Sequence, residues 1–108
     1  TFFDSEVPLT EETTTFLDAY RAEYGADVEP AAVTALAYDA YLVALDAMER
    51  AGTTTDTVAI RDAVAETSMF PGAAGIISLD ENGDAVKSAI IKVIEDGKFK
   101  YKATVEPF

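Results

Sequence analysis

The sequence contains neither cysteine nor histidine. The first absence excludes disulfides, thiolate nucleophiles and zinc–cysteine sites. The second removes the commonest general base and metal ligand. Positive charge is scarce as well: 8 Lys and Arg stand against 20 Asp and Glu, a net charge of −12. A nucleic-acid binder needs the opposite sign to neutralise phosphates, so no nucleic acid is expected as a partner. An anionic membrane surface would repel the chain too. No apolar run approaches the length of a membrane span. No signal peptide opens the sequence, and the opening Thr-Phe-Phe-Asp has no initiator methionine, so a processed or truncated chain is expected. Serine occurs only at Ser5, Ser68, Ser78 and Ser88, and with no histidine no catalytic triad forms. Gly72 and Gly75 make no phosphate loop, because no lysine-serine or lysine-threonine pair follows them. No cofactor is expected, and the chain does not read as an enzyme.

What is present is enough for one domain with a core: 108 residues, 49% of them apolar. The charge divides along the chain. Residues 1–70 hold 14 acids and three arginines, whereas the remainder holds five lysines and six acids.

Residues 1–7 read as a short extended segment stopped by Pro8. Thr10 suits a helix N-cap, with Glu11 and Glu12 in the first turn, where negative charge favours the helix dipole. Phe16, Leu17, Tyr20 and Tyr24 form one apolar stripe, and Gly25 ends the helix. Pro30 fits the first turn of a second helix. Its broad apolar face runs through Val33, Leu36, Ala37, Ala40, Tyr41, Ala44, Leu45 and Met48. Gly52 closes it, residues 53–56 form a polar cap cluster, and a third helix follows with Val58, Ala59, Asp62, Ala63 and Glu66 at helical spacing.

The pattern changes at Phe70. Pro71-Gly72 signals a turn, residues 75–79 a short strand, and residues 80–84, with Asn82-Gly83, a hairpin turn. Residues 86–94 read as a second strand buried on both faces. Asp96-Gly97 turns the chain into a half-exposed strand where Phe99, Tyr101, Ala103 and Val105 alternate with Lys98, Lys100, Lys102 and Thr104. The lysines there suit an exposed sheet edge.

Two residue groups invite chemistry. Asp80, Asn82 and Asp84 have the spacing of the first ligands of a calcium loop, but position 91 is Ile91 rather than glutamate, and strands flank the segment, so a plain turn is expected. Asp39 lies within an apolar helix face, either as a surface acid or as a buried acid bonding to neighbouring backbone.

Three segments in fixed order resemble the leucine/isoleucine/valine-binding branch of the type I periplasmic binding proteins. They are residues 16–25 (FLDAYRAEYG); Pro30 with Ala37-Tyr38-Asp39-Ala40 and Ala51-Gly52; and residues 70–84 (FPGAAGIISLDENGD). Asp96-Gly97-Lys98-Phe99 resembles the family's last turn. The resemblance implies an α/β fold, with this chain as the C-terminal segment of a two-lobed protein: a strand, three helices, then a β-hairpin and final strands. Residues 1–8 would be a crossover strand, 9–87 helices and hairpin of the first lobe, and 88–108 terminal strands returning toward the second. It implies capture of a small solute, an amino acid or related compound, for an ABC permease, in an extracellular, cell-surface or periplasmic setting. A ligand-sensing domain in a receptor is the alternative.

Most ligand contacts of that family would lie upstream of this chain. One position here corresponds to a contact that is often aromatic, five residues before the tyrosine of the Tyr-Asp-Ala motif. It is Val33, which is either that ligand contact or helix packing. Leu79 likewise replaces the family's usual phenylalanine. Partners implied are the solute, the permease and the remainder of the same protein. A lobe fragment would also leave strand edges and apolar faces uncovered, so a homodimer or strand swap is expected of the chain alone.

Overall fold

The computed structural model describes residues 1–107. Three helices come first: α1 (Glu11–Tyr24), α2 (Ala32–Ala51) and α3 (Thr57–Ala65). Five strands follow: β1 (Phe70–Gly72), β2 (Gly75–Leu79), β3 (Ala85–Val86), β4 (Ala89–Glu95) and β5 (Lys98–Val105). The first three form an antiparallel sheet in the order β1-β2-β3, and β4 pairs with β5 in a separate hairpin.

The helix ends follow their chemistry. Thr10 caps α1 by accepting from the Thr13 amide, and the Thr13 side chain accepts from the Thr10 amide. Gly25 ends the helix at φ 111°, a conformation costly for other residues. Asp56 caps α3 by accepting from the Val58 and Ala59 amides. Helix α2 is different. It starts at Ala32, with Ala31 at the cap position and no side-chain cap, so Pro30 lies just before the helix rather than in its first turn. At the far end Arg50 spans two elements, donating to the Ala63 carbonyl at 2.7 Å and to Asp46 at 2.8 Å.

The core lies where α1, the start of α2 and the β1–β2 turn meet. Phe3, Phe16, Leu17, Ala35, Ala73 and Ala74 are buried there. Phe16 packs edge-on to Phe3 at 5.8 Å and tilted against Tyr38 at 5.0 Å. Burying side chains such as Phe16 and Leu17 contributes about 1.5–3 kcal/mol each. The aromatic stripe of α1 is therefore packing at its start, and it runs out to an exposed Tyr24.

Helix α2 departs from the expected face. Ala35, Asp39 and Ala47 are buried, while Val33, Ala37, Ala40, Tyr41 and Leu45 are exposed. The helix is apolar over more of its circumference than the described residues cover, so hydrophobicity alone misplaces the inward stripe.

The β region is more broken than the sequence suggests. Pro71-Gly72 lies in β1, paired with β2, and the turn falls on Ala73-Ala74. The proline sits in an edge strand, where its missing donor costs no ladder bond. Asp80 closes a five-residue loop by accepting from the amides of Asn82 and Asp84 at 2.9 Å each, and these bonds hold its carboxyl below the usual range. The expected strand over 86–94 is split at Lys87-Ser88. Its second half joins β5 through Asp96-Gly97, both at positive φ (52° and 71°), as a two-residue hairpin turn requires. A bulge falls between Ile91 and Lys92. Ile90 is buried, but Ile91, Ile94 and Phe99 are exposed, the last at 74%, so β4 is not covered on both faces by this chain.

Residues 1–8 form no regular strand. Thr1 pairs reciprocally with Ile90, its nitrogen donating to the Ile90 carbonyl at 3.0 Å and its carbonyl accepting from the Ile90 amide at 2.7 Å. Buried Asp4 adds an ion pair with Lys92 at 2.9 Å. The start of the chain is thus tied to β4.

The molecule is flat, 51 × 35 × 19 Å, with a radius of gyration of 15.4 Å. A compact domain of this length has a radius of about 13 Å.

Tyr38 links α2 to α1 by donating to Glu12 at 2.6 Å. This bond, then burial, then the charges of Glu12 and Asp39 push the phenol from 10.0 up to about 12. A folded-state pKa raised in this way gives stability that is complete below pH 10 and lost as the pH rises through about 12. Tyr38→Phe is expected to cost about 1.5–3 kcal/mol at neutral pH and to flatten the fall in stability across that window. Urea unfolding of both chains on either side of it checks the prediction.

Candidate functional site

Two features of the described residues bear on function: a buried clasp joining the family-like motifs, and an apolar groove beside it. The clasp is built on the backbone of Gly72, Ala73 and Ala74, which are buried and would otherwise leave their polar groups unpaired. Thr10 donates its hydroxyl to the Gly72 carbonyl at 2.7 Å, and Thr13 donates to the Ala73 carbonyl at 2.8 Å. From the other side Asp39 accepts from the Ala73 amide at 2.5 Å and the Ala74 amide at 2.9 Å.

Gly72 has a steric role here. A Cβ at this position would stand 2.7 Å from the Asp39 carboxylate, closer than any side chain tolerates. Asp39 is thus the buried, backbone-bonding acid, the second of the two readings its sequence position allowed. Burial pushes its carboxyl up, opposed by the Ala74 and Ala73 amides and by the positive charge of Lys87. Tyr-Asp-Ala on α2 and Gly-Ala-Ala-Gly in the hairpin are halves of one structural lock. Thr13 was not singled out from the sequence; its place one turn into α1, three residues after a threonine cap, was the available signal.

The groove lies between α2, α3 and the β2–β3 hairpin. It has a volume of about 340 Å³ and is lined by Leu36, Val43, Ala44, Val64, Ile77 and Leu79, with Asp39 and Lys87 as its polar groups. The Lys87 ammonium is shut off from solvent and has no hydrogen-bond partner among the described residues. It lies 5.9 Å from the centre of the Phe2 ring. Burial lowers its pKa, and Asp39 opposes that shift.

Val33 stands apart from both features. It is on the first turn of α2 and 70% exposed. Among the described residues no group of three or more Asp or Glu could hold a metal ion, and Asp80, Asn82 and Asp84 form a self-bonded turn. No helix among them is long and apolar enough to cross a membrane.

The periplasmic binding protein family profile matches residues 1–98. The chain belongs to this family. Among solved structures it is similar to the leucine binding protein LivK from Thermotoga maritima, with 40% identity and a TM-score of 0.88 over 99% of this chain and 30% of that one. It is also similar to the branched-chain amino acid transporter substrate binding protein LivJ from Streptococcus pneumoniae, solved in complex with isoleucine. That match has 32% identity and a TM-score of 0.76 over 96% of this chain and 28% of the other. A comparison with the curated proteins finds no match. The chain thus spans about 30% of the length of these relatives. Both are binding proteins by name, and the α/β fold of this chain is that of a periplasmic binding protein segment.

The lock yields a direct prediction. Asp39→Asn replaces one acceptor oxygen with an NH₂ group that faces a backbone amide, and Gly72→Ala forces a methyl into the carboxylate. Each is expected to destabilise the chain by about 2–4 kcal/mol, and the double variant by less than the sum, since both break one contact. Urea midpoints of the three variants measure this.

Proposed function

We propose that this chain is the C-terminal segment of a two-lobed solute-binding protein. That protein captures a small solute, an amino acid or a related compound, outside the cell or in the periplasm, and presents it to an ABC permease. The observation that carries this reading is the near-complete superposition on a leucine binding protein at 40% identity. The names of both relatives support an amino-acid ligand.

Within that protein residues 1–8 act as a crossover, 9–87 belong to the first lobe, and 88–108 return toward the second. The Thr1–Ile90 bonds support this division, since they set the two crossing segments side by side. Val33 is the ligand contact supplied by this chain. Its exposure on the first turn of α2 leaves the side chain free to meet a solute. Valine there is smaller than an aromatic ring, so it suits a bulkier solute side chain than an aromatic residue would admit.

The test is a graft. Replacing the matching 30% of the Thermotoga leucine binding protein with this chain is expected to preserve leucine binding within about tenfold, whereas the 108 residues alone show none. Val33→Phe in the graft is expected to change the ranking of leucine against larger amino acids. Calorimetry measures both. Micromolar leucine binding by the isolated chain would show that the pocket lies within it, against the proposal.

A further inference from the structure

We propose that Asp4 and Lys92 form a latch across the boundary between the two lobes. Their ion pair holds the β4–β5 hairpin toward the start of α2, in the closed arrangement that retains the solute. The inference rests on the reading of residues 1–8 as a crossover and of 88–108 as strands returning toward a second lobe. Closure on a solute belongs to that reading already; the pair of side chains that sets its balance is the new element.

The first observation is how the hairpin is tied to the rest of the chain. β4 and β5 pair only with each other. Among the described residues no hydrogen bond or ion pair joins residues 9–87 directly to residues 88–107. The ties run through the opening segment instead, as Thr1 with Ile90 and Asp4 with Lys92. The Thr1 bonds are backbone bonds at the crossing itself and act as a pivot. Lys92 lies two residues further along β4, so its pair with Asp4 acts away from the pivot, where a change of angle is felt.

The second is the space beside the pair. A cavity of about 560 Å³ separates the two sides. Glu29, Pro30, Ala31 and Ala32 line it from the helical side, and Lys92 and Phe99 from the hairpin. Val33, the proposed solute contact, follows Ala32 on the same turn of α2. The hairpin therefore has room to swing. Swinging away from α2 widens the space near Val33 and parts Lys92 from Asp4.

The third is the chemistry of the pair. Asp4 is 4% exposed. One of its carboxylate oxygens accepts the Glu6 amide at 2.9 Å, and its carbonyl accepts the Val7 amide at 3.1 Å, so the acid is fixed to the opening segment. The other oxygen is shut off from solvent, and Lys92 Nζ at 2.9 Å is its one partner among the described residues. Glu29, the other acid on the cavity wall, is engaged by Arg21 at 2.7 Å, so Lys92 has no free rival carboxylate there. Parting a shielded pair leaves a charge without its counter-charge and costs more than parting an exposed one. The pair thus favours the closed arrangement. It acts on retention of the solute without touching it, so these are positioning residues.

The graft into the Thermotoga protein tests the proposal through two readouts. Lys92→Met keeps the aliphatic stem and removes the charge; Asp4→Asn keeps an acceptor for the Glu6 amide. Either is expected to speed leucine dissociation about 5-fold or more and to leave the ranking of leucine against larger amino acids unchanged. The double variant is expected to act no more strongly than either alone, and Lys92→Arg to restore slow dissociation. Stopped-flow fluorescence measures these rates. A merely structural pair would lower the unfolding midpoint and leave dissociation within about twofold of the parent, and that result would overturn the latch. The second readout needs no leucine. The chain has no cysteine, so Glu81→Cys and Lys98→Cys supply two spin-label sites once any cysteine of the host is removed. Lys92→Met is expected to broaden the distance distribution between them toward longer separations; an unchanged distribution would overturn the proposal as well. Loss of leucine binding in the unsubstituted graft, with that broadening still present on Lys92→Met, would sink the proposed ligand and leave the latch standing.

Discussion

The structure depends on pairing the buried backbone of Gly72-Ala73-Ala74. This tight turn carries carbonyls and amides into the core, where each unpaired group costs about 1–3 kcal/mol. Thr10 and Thr13 take the carbonyls of Gly72 and Ala73, and Asp39 takes the amides of Ala73 and Ala74. Three elements distant in sequence are thereby joined at one point. The aromatic packing of Phe3, Phe16 and Tyr38 adds hydrophobic stabilisation around it, but dispersion and burial are non-directional. The lock sets the position of the hairpin against the helices.

This gives the family-like motifs a physical meaning. The Tyr-Asp-Ala segment and the Gly-Ala-Ala-Gly segment are far apart in the chain but make one contact. Tyr38 reaches Glu12, Asp39 reaches the hairpin, and Gly72 leaves room for the carboxylate. These residues mark architecture rather than ligand chemistry. A binding protein needs such rigidity, since a recognition surface is only as well placed as the scaffold beneath it. The short side chains on α2 serve the same purpose by letting the turn approach closely.

The covered surface is confined to one side. Small alanines and a few aromatics make the core, while α2, α3 and the β4–β5 hairpin leave aliphatic and aromatic surface outside it. In a chain spanning about 30% of its relatives, that distribution is what a layer of a larger fold shows: each element is amphipathic about more than one direction, and the described residues satisfy only one of them.

Local chemistry was legible in the residues. The Thr10 cap, the Gly25 and Gly52 ends, the polar cluster before α3 and the Asp96-Gly97 turn depend on short-range backbone geometry, and the sequence determines such geometry directly. The order of helices before strands was legible for the same reason, through apolar spacing. Three things were decided only in three dimensions. The inward face of α2 depends on which neighbours are present, because hydrophobicity does not name the partner. The break at Lys87-Ser88, where one apolar run divides between two sheets, depends on register against separate strands. The role of Asp39 depends on amides 34 and 35 residues away. A side chain bonded to distant backbone leaves no periodic trace in its own neighbourhood, and folding alone brings such partners together.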